Sequence, residues 1–126
     1  MKKTIYIAKP TGSHFRFINK KDPTCLKVNH DFIKYGKSLN FDSRAKNYHE
    51  DNDGNVEMYP VVDCDHLTDK QLHSLETAIG RRVKEYRQEN PGRKRRALLE
   101  WCKDLDESLL EKVIQEEFDK INAEIK

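Results

Sequence analysis

No stretch of this sequence stays apolar for long. Near the amino terminus the longest such run is Ile5-Tyr6-Ile7-Ala8, closed by Lys9. That is far short of the roughly 20 residues a spanning helix needs, and too short for the core of a secretory signal despite Lys2 and Lys3 in front of it. No membrane association is expected. Cysteine is scarce as well: Cys25, Cys64 and Cys102 are odd in number, far apart and outside any CxxC pair. This excludes a disulfide framework and points to reduced thiols in a cytoplasmic protein. Repeats and low-complexity segments are absent, and no signature of a cofactor, a catalytic triad or a metal site is present. No cofactor is expected.

Apolar residues make up 36% of the chain and charged residues 37%, against a usual charged share of about a quarter. The core is therefore expected to be thin, and the 126 residues to form a single domain, 1–126. The net charge of +2 conceals an alternation. Residues 1–49 carry 11 Lys/Arg against 3 Asp/Glu, whereas residues 50–69 carry 7 acids and no Lys or Arg. Residues 70–103 return to 10 bases against 4 acids, and residues 104–126 to 3 against 8.

The first half, 1–66, reads mainly as β. TIYIA and HFRFI flank KPTGS, whose Pro and Gly suggest a hairpin over residues 4–18. TCLKV suggests a third short strand, and HDFIKYG is compatible with a strand or with one helical turn ended by Gly36. RAKNYHE and NVEMYPVV surround DNDG, where Asp53-Gly54 suits a type I′ hairpin turn. Pro60 then implies an edge strand or a bend.

The second half, 67–126, reads mainly as α. Thr68 with Gln71 forms a capping-box pattern, and Leu72, Leu75, Ile79, Val83 and Tyr86 follow at helical spacing, predicting a helix over 68–89. Asn90-Pro91-Gly92 ends it. A shorter helix with Leu98, Trp101, Cys102 and Leu105 inward is expected next. Asp104 with Glu107 repeats the capping box before a last stripe of Leu110, Ile114, Phe118, Ile121 and Ile125. The expected fold is α+β: a small N-terminal antiparallel β-sheet of hairpins followed by three C-terminal α-helices.

The strongest functional signal is the basic elbow of residues 81–96, containing Arg81, Arg82, Lys84, Arg87, Arg93, Lys94, Arg95 and Arg96. Arg93 to Arg96 would load the first turn of the short helix with cations, where the helix dipole favours acids. A bound phosphate would relieve that conflict. Nucleic acid, or a nucleic-acid-binding protein, is the expected partner, although an ordinary solvated face would also place Arg and Lys there. The protein is read as a small non-enzymatic regulator.

A first alternative is a protein-targeting inhibitor or charge mimic of the kind bacterial viruses and mobile elements use. It would act through Glu50, Asp51, Asp53, Glu57, Asp63 and Asp65, or through an exposed seam of the last helix, where a second copy could also pair. Turn and capping positions explain the same acids. A second alternative is a metal-dependent nuclease built from Asp63, Asp65 and a histidine of the DCDH stretch or His73. The spacing there matches no EF-hand and no second ligand cluster accompanies it, so no metal site is assigned. No catalytic residue is assigned either.

Overall fold

The computed structural model describes residues 2–11, 15–19, 22–89 and 98–125. Along the chain come β1 (Thr4–Pro10), β2 (Phe15–Asn19), β3 (Asp22–Val28), β4 (Phe32–Ser38), α1 (Phe41–Asp51) and β5 (Val56–Asp63). They are followed by α2 (Asp69–Arg82), a 3₁₀ turn (Lys84–Tyr86), β6 (Arg87–Glu89), β7 (Leu98–Lys103) and α3 (Glu107–Ile125). Five strands form one sheet in the order β5-β1-β4-β7-β6, with every neighbouring pair antiparallel, and β2 pairs with β3 in a separate ribbon. The chain is thus α+β, with an antiparallel sheet and three helices.

The apolar run Ile5-Tyr6-Ile7-Ala8 owes its continuity to its place inside this sheet. Ile5 and Ile7 join the cluster that α2 and α3 cover, through Leu72, Leu75, Ile79, Leu110 and Ile114. Tyr6 and Ala8 point the other way, into a second cluster with Tyr48 of α1, Val28, Val56 and Trp101. A strand covered on both faces has no solvent side on which to alternate polar residues. Gly36 of β4 lies opposite Tyr6. A Cβ built there would stand 2.5 Å from the Tyr6 hydroxyl oxygen and 2.6 Å from Cζ, so the glycine makes room for a fully buried ring.

Several elements follow the expectation closely. The Thr68 hydroxyl accepts from Gln71 N–H at 3.1 Å, and the Gln71 side chain accepts from Thr68 N–H at 2.8 Å, completing the capping box. HDFIKYG resolves as strand β4. Pro60 lies on β5, at the edge of the sheet, and the β1–β5 register shifts beside it, between Ile5 and Tyr6.

Other elements are corrected. TIYIA and FRFI are both strands but not partners: β1 pairs with β4 and β5, and β2 with β3. RAKNYHE belongs to helix α1. Asn40 caps it by accepting from Ser43 N–H at 3.2 Å, and Tyr48 is its buried anchor. Asp53 and Gly54 do adopt positive φ, 52° and 74°, as the turn pair requires, but they follow a helix, and Gly54 N–H returns to the His49 carbonyl at 2.8 Å. The long helix stops at Arg82, and Arg87–Glu89 are strand β6. The expected helix through Leu98 and Cys102 is strand β7, with Trp101 in one cluster and Cys102 in the other, the alternation of a strand. The last helix is capped by Asp106 rather than Asp104: Leu109 N–H bonds Asp106 Oδ2 at 3.2 Å, while Asp104 takes a positive φ of 59°.

Candidate anion-binding site

Helix α2 packs against β4, and near its end Gly80 meets Tyr35 of that strand and Arg87 of β6, bringing several of the expected cations to one place. They have different duties. Arg82 turns to α3, its Nη1 3.0 Å from Glu116 Oε1. Arg87, at the start of β6, donates from Nε to the Leu99 carbonyl at 2.8 Å and from Nη2 to the Leu98 carbonyl at 3.0 Å. Its guanidinium also lies over the Tyr35 ring, 5.9 Å from the centroid. Arg81 and Lys84 are exposed and pair with no described residue. Cations in the last turn of α2 complement the negative end of its dipole, so they sit there without local cost.

Arg93, Lys94, Arg95 and Arg96 lie outside the described residues. The chain that carries them joins β6 to its antiparallel neighbour β7. Because Leu98–Lys103 is strand, the helix whose first turn these cations were expected to load does not run through that segment, and the dipole conflict is no longer an argument for an anion.

Beneath the end of α2 is a cavity of about 390 Å³. Arg81, Lys84 and Arg87 line it together with Glu76, Glu100, Tyr35 and Gly80. Gly80 is what lets the helix approach so closely. A Cβ there would fall 2.6 Å from the Tyr35 hydroxyl and 2.9 Å from Arg87 Nη1. Glu76 Oε2 accepts from Lys37 N–H at 2.8 Å, tying α2 to β4. Burial first, with the nearby charges of Glu100 and Glu76 adding to it against Arg87, raises the Tyr35 phenol well above its ordinary value, so it enters the cavity as a neutral hydroxyl. The sequence reading missed Tyr35, Glu76, Gly80 and Glu100. A lone glycine near the end of an otherwise regular helical stripe was the one available signal.

The acids expected to work as one surface are divided. Glu50 and Asp51 end α1, Asp53 follows in the turn and Glu57 lies early in β5, whereas Asp63 closes that strand. The six residue steps from Glu57 to Asp63 span roughly 20 Å of extended chain. Asp65 is structural: its Oδ1 accepts the backbone N–H groups of Lys3 at 2.7 Å and Lys2 at 2.8 Å. Those two bonds, Lys3 first, hold its carboxyl below the usual range. Asp63 accepts from Asp65 N–H, His66 meets Asn122 Oδ1 at 2.7 Å, and His73 Nδ1 lies 2.9 Å from Lys37 Nζ. Among the described residues no group of three His, Cys, Asp or Glu side chains converges as a metal site would require. Burial pushes the Cys64 thiol up to about 11 and the Cys102 thiol up to about 12, which leaves both protonated and poor nucleophiles.

At the opposite edge, Tyr59 of β5 points its hydroxyl at two carboxylates of α3, Glu107 Oε2 and Glu111 Oε1, each at 2.5 Å. Lys9 Nζ lies 3.0 Å from Glu107 Oε1. The Tyr59 hydrogen bond, then Lys9, hold the Glu107 carboxyl below its ordinary 4.5. A depressed carboxyl contributes stability that is complete above 4.5 and is lost as the pH falls through the folded value. The melting temperature of the wild type should therefore drop below about pH 4.5, and Glu107→Gln should flatten that part of the profile. Parallel curves for the two proteins in thermal melts from pH 6 to 3 would show that the Tyr59–Glu107 contact is not linked to folding.

No helix among the described residues is long and apolar enough to cross a membrane. Comparison with protein-family models, with curated proteins and with solved structures finds no match to this chain.

Proposed function

We propose that the protein is a small non-enzymatic binding protein that engages nucleic acid, or a complex that handles it, through the basic end of α2 and the β6–β7 connection. The observation that supports this most is the division of labour among the cations. Arg82 and Arg87 are engaged within the chain, while Arg81 and Lys84 are exposed at the cavity without a described partner. Leu98, which lines the same cavity, begins β7 directly after the segment bearing Arg93, Lys94, Arg95 and Arg96. Exposed, uncommitted cations on a rigid helix end suit a phosphate backbone, whose binding is electrostatic and tolerant of sequence.

The test is a titration of labelled duplex DNA, single-stranded DNA and RNA at several salt concentrations. A backbone binder shows affinity falling linearly on a log–log plot against salt. Absence of binding to all three at low salt would end this reading.

A further inference from the structure

We infer that the cavity beneath α2 holds a single unpaired guanine nucleotide, its base facing Glu100 and its phosphate facing Arg81 and Lys84. This rests on the nucleic-acid reading above and specifies it. A backbone binder needs cations alone, yet this cavity sets two carboxylates, Glu76 and Glu100, beside three cations. Carboxylates there repel phosphate, so a ligand that fills the cavity must also bring N–H donors to face them. One of them is already engaged: Glu76 Oε2 accepts from the Lys37 backbone N–H. Glu100, partly buried on β7, makes no side-chain hydrogen bond with a described residue.

The donors are equally well defined. Nε and Nη2 of Arg87 are fixed by two strand carbonyls, which locks the plane of the guanidinium and leaves Nη1 over Gly80 at the cavity wall. The Tyr35 hydroxyl stands beside the same glycine. The lining therefore offers a carboxylate without a described partner as acceptor and a locked guanidinium with a neutral phenol as donors. Guanine matches this pattern. Its N1–H and N2–H₂ are adjacent donors that one carboxylate accepts together, and O6 beside them is an acceptor for Arg87 Nη1 or the phenol. Uracil has one N–H donor on that edge, and cytosine and adenine place an acceptor next to their amino group. A cavity of about 390 Å³ accommodates one base with its ribose and phosphate, and not two. Unpaired bases splayed into such pockets are the usual basis of recognition in single strands.

The experiment compares oligouridine 12-mers carrying one central guanosine, inosine or no substitution, titrated at low salt against wild type, Glu100→Gln and Glu100→Leu. The wild type should prefer the guanosine oligomer about tenfold over the all-uridine one, the ratio expected of one good bidentate contact. Inosine, which lacks the 2-amino group, should recover only part of that gain. Both Glu100 variants should lose the preference, with thermal melts reporting that they remain folded. Equal affinity for all three oligomers, or a preference that survives in folded Glu100→Leu, overturns the cavity inference and leaves backbone binding intact. If no oligomer binds, the nucleic-acid reading has failed. Free guanosine monophosphate against inosine monophosphate, by calorimetry, then tests the cavity alone: preference for the former upholds the guanine site, and no binding of either removes it.

Discussion

Tyr6→Phe should lower the stability of the fold by about 3 kcal/mol, although it removes one oxygen and leaves the ring in place. The reason is Lys34, only 7% exposed in the middle of β4. Its ammonium donates to the Tyr6 hydroxyl at 3.1 Å and to the Tyr35 carbonyl at 3.3 Å, with the Tyr6 and Tyr48 rings 5.2 and 5.8 Å away. No carboxylate of the described residues forms an ion pair with it. Burial works against the charge, but the phenol oxygens of Tyr6 and Tyr48, with the more distant Glu100 charge, outweigh it and hold the lysine above its ordinary value. The Tyr6 oxygen also lies 3.3 Å from that of Tyr48, which Arg44 Nη1 approaches to 3.5 Å. Deleting it leaves a buried cation with one carbonyl acceptor.

Lys34→Met should behave differently. It removes the charge while keeping an unbranched side chain of similar reach, and replacing a buried charge by a well-packed apolar group is neutral or stabilising by about 1–4 kcal/mol. In the Lys34→Met background, Tyr6→Phe should then cost much less, because the acceptor no longer serves a cation. A double-mutant cycle by urea denaturation measures this coupling. A loss below about 0.5 kcal/mol for Tyr6→Phe alone, the scale of an ordinary surface change, would mean that water reaches Lys34 and that the polar cluster is not sealed.

That cluster was invisible in the sequence, where HDFIKYG suits a strand or a helical turn and nothing marks Lys34 as buried. What could be read there was local. The Thr68–Gln71 box, the stripe from Leu72 to Val83, the edge position of Pro60 and the positive φ at Asp53 and Gly54 all depend on a few adjacent residues. Pairing depends on distant ones. Nothing near TIYIA announces that its partners are Phe32–Ser38 and Val56–Asp63, and Pro10 and Gly12 imitated a hairpin turn instead. Short segments failed in both directions. Leu98, Trp101 and Cys102 suit a helical stripe as well as a strand that alternates across a two-sided sheet. Phe41, Ala45 and Tyr48 have helical spacing behind an Asn40 cap, yet so polar a segment passes easily for an edge strand. The candidate site was legible only as charge. Which cations are free depends on Glu116, the β7 carbonyls and Gly80, and these come together only through tertiary packing.

Replacing Arg93, Lys94, Arg95 and Arg96 together by Ala should cause the largest loss of binding of any change to this protein. Each phosphate neutralised contributes about 0.9 log units to the salt slope on duplex DNA. If the four side chains meet four phosphates, the slope should become shallower by about 3.6, and affinity near physiological salt should fall by orders of magnitude. Arg81→Ala with Lys84→Ala should remove about two further units from the slope by the same reasoning. Arg82→Ala serves as the contrast, because its guanidinium is held by Glu116. It should leave the slope nearly unchanged and cost the fold at most about 1 kcal/mol, the range of an exposed ion pair. With Leu98–Lys103 in a strand, the argument for a gain in stability from the quadruple change falls away, and thermal stability should stay the same rather than rise. A clear fall in melting temperature for the quadruple variant would instead mean that these cations neutralise the acidic segments within the chain. Binding lost equally in Arg82→Ala would point to the α2–α3 pair as the contact surface and remove the β6–β7 connection from the interface.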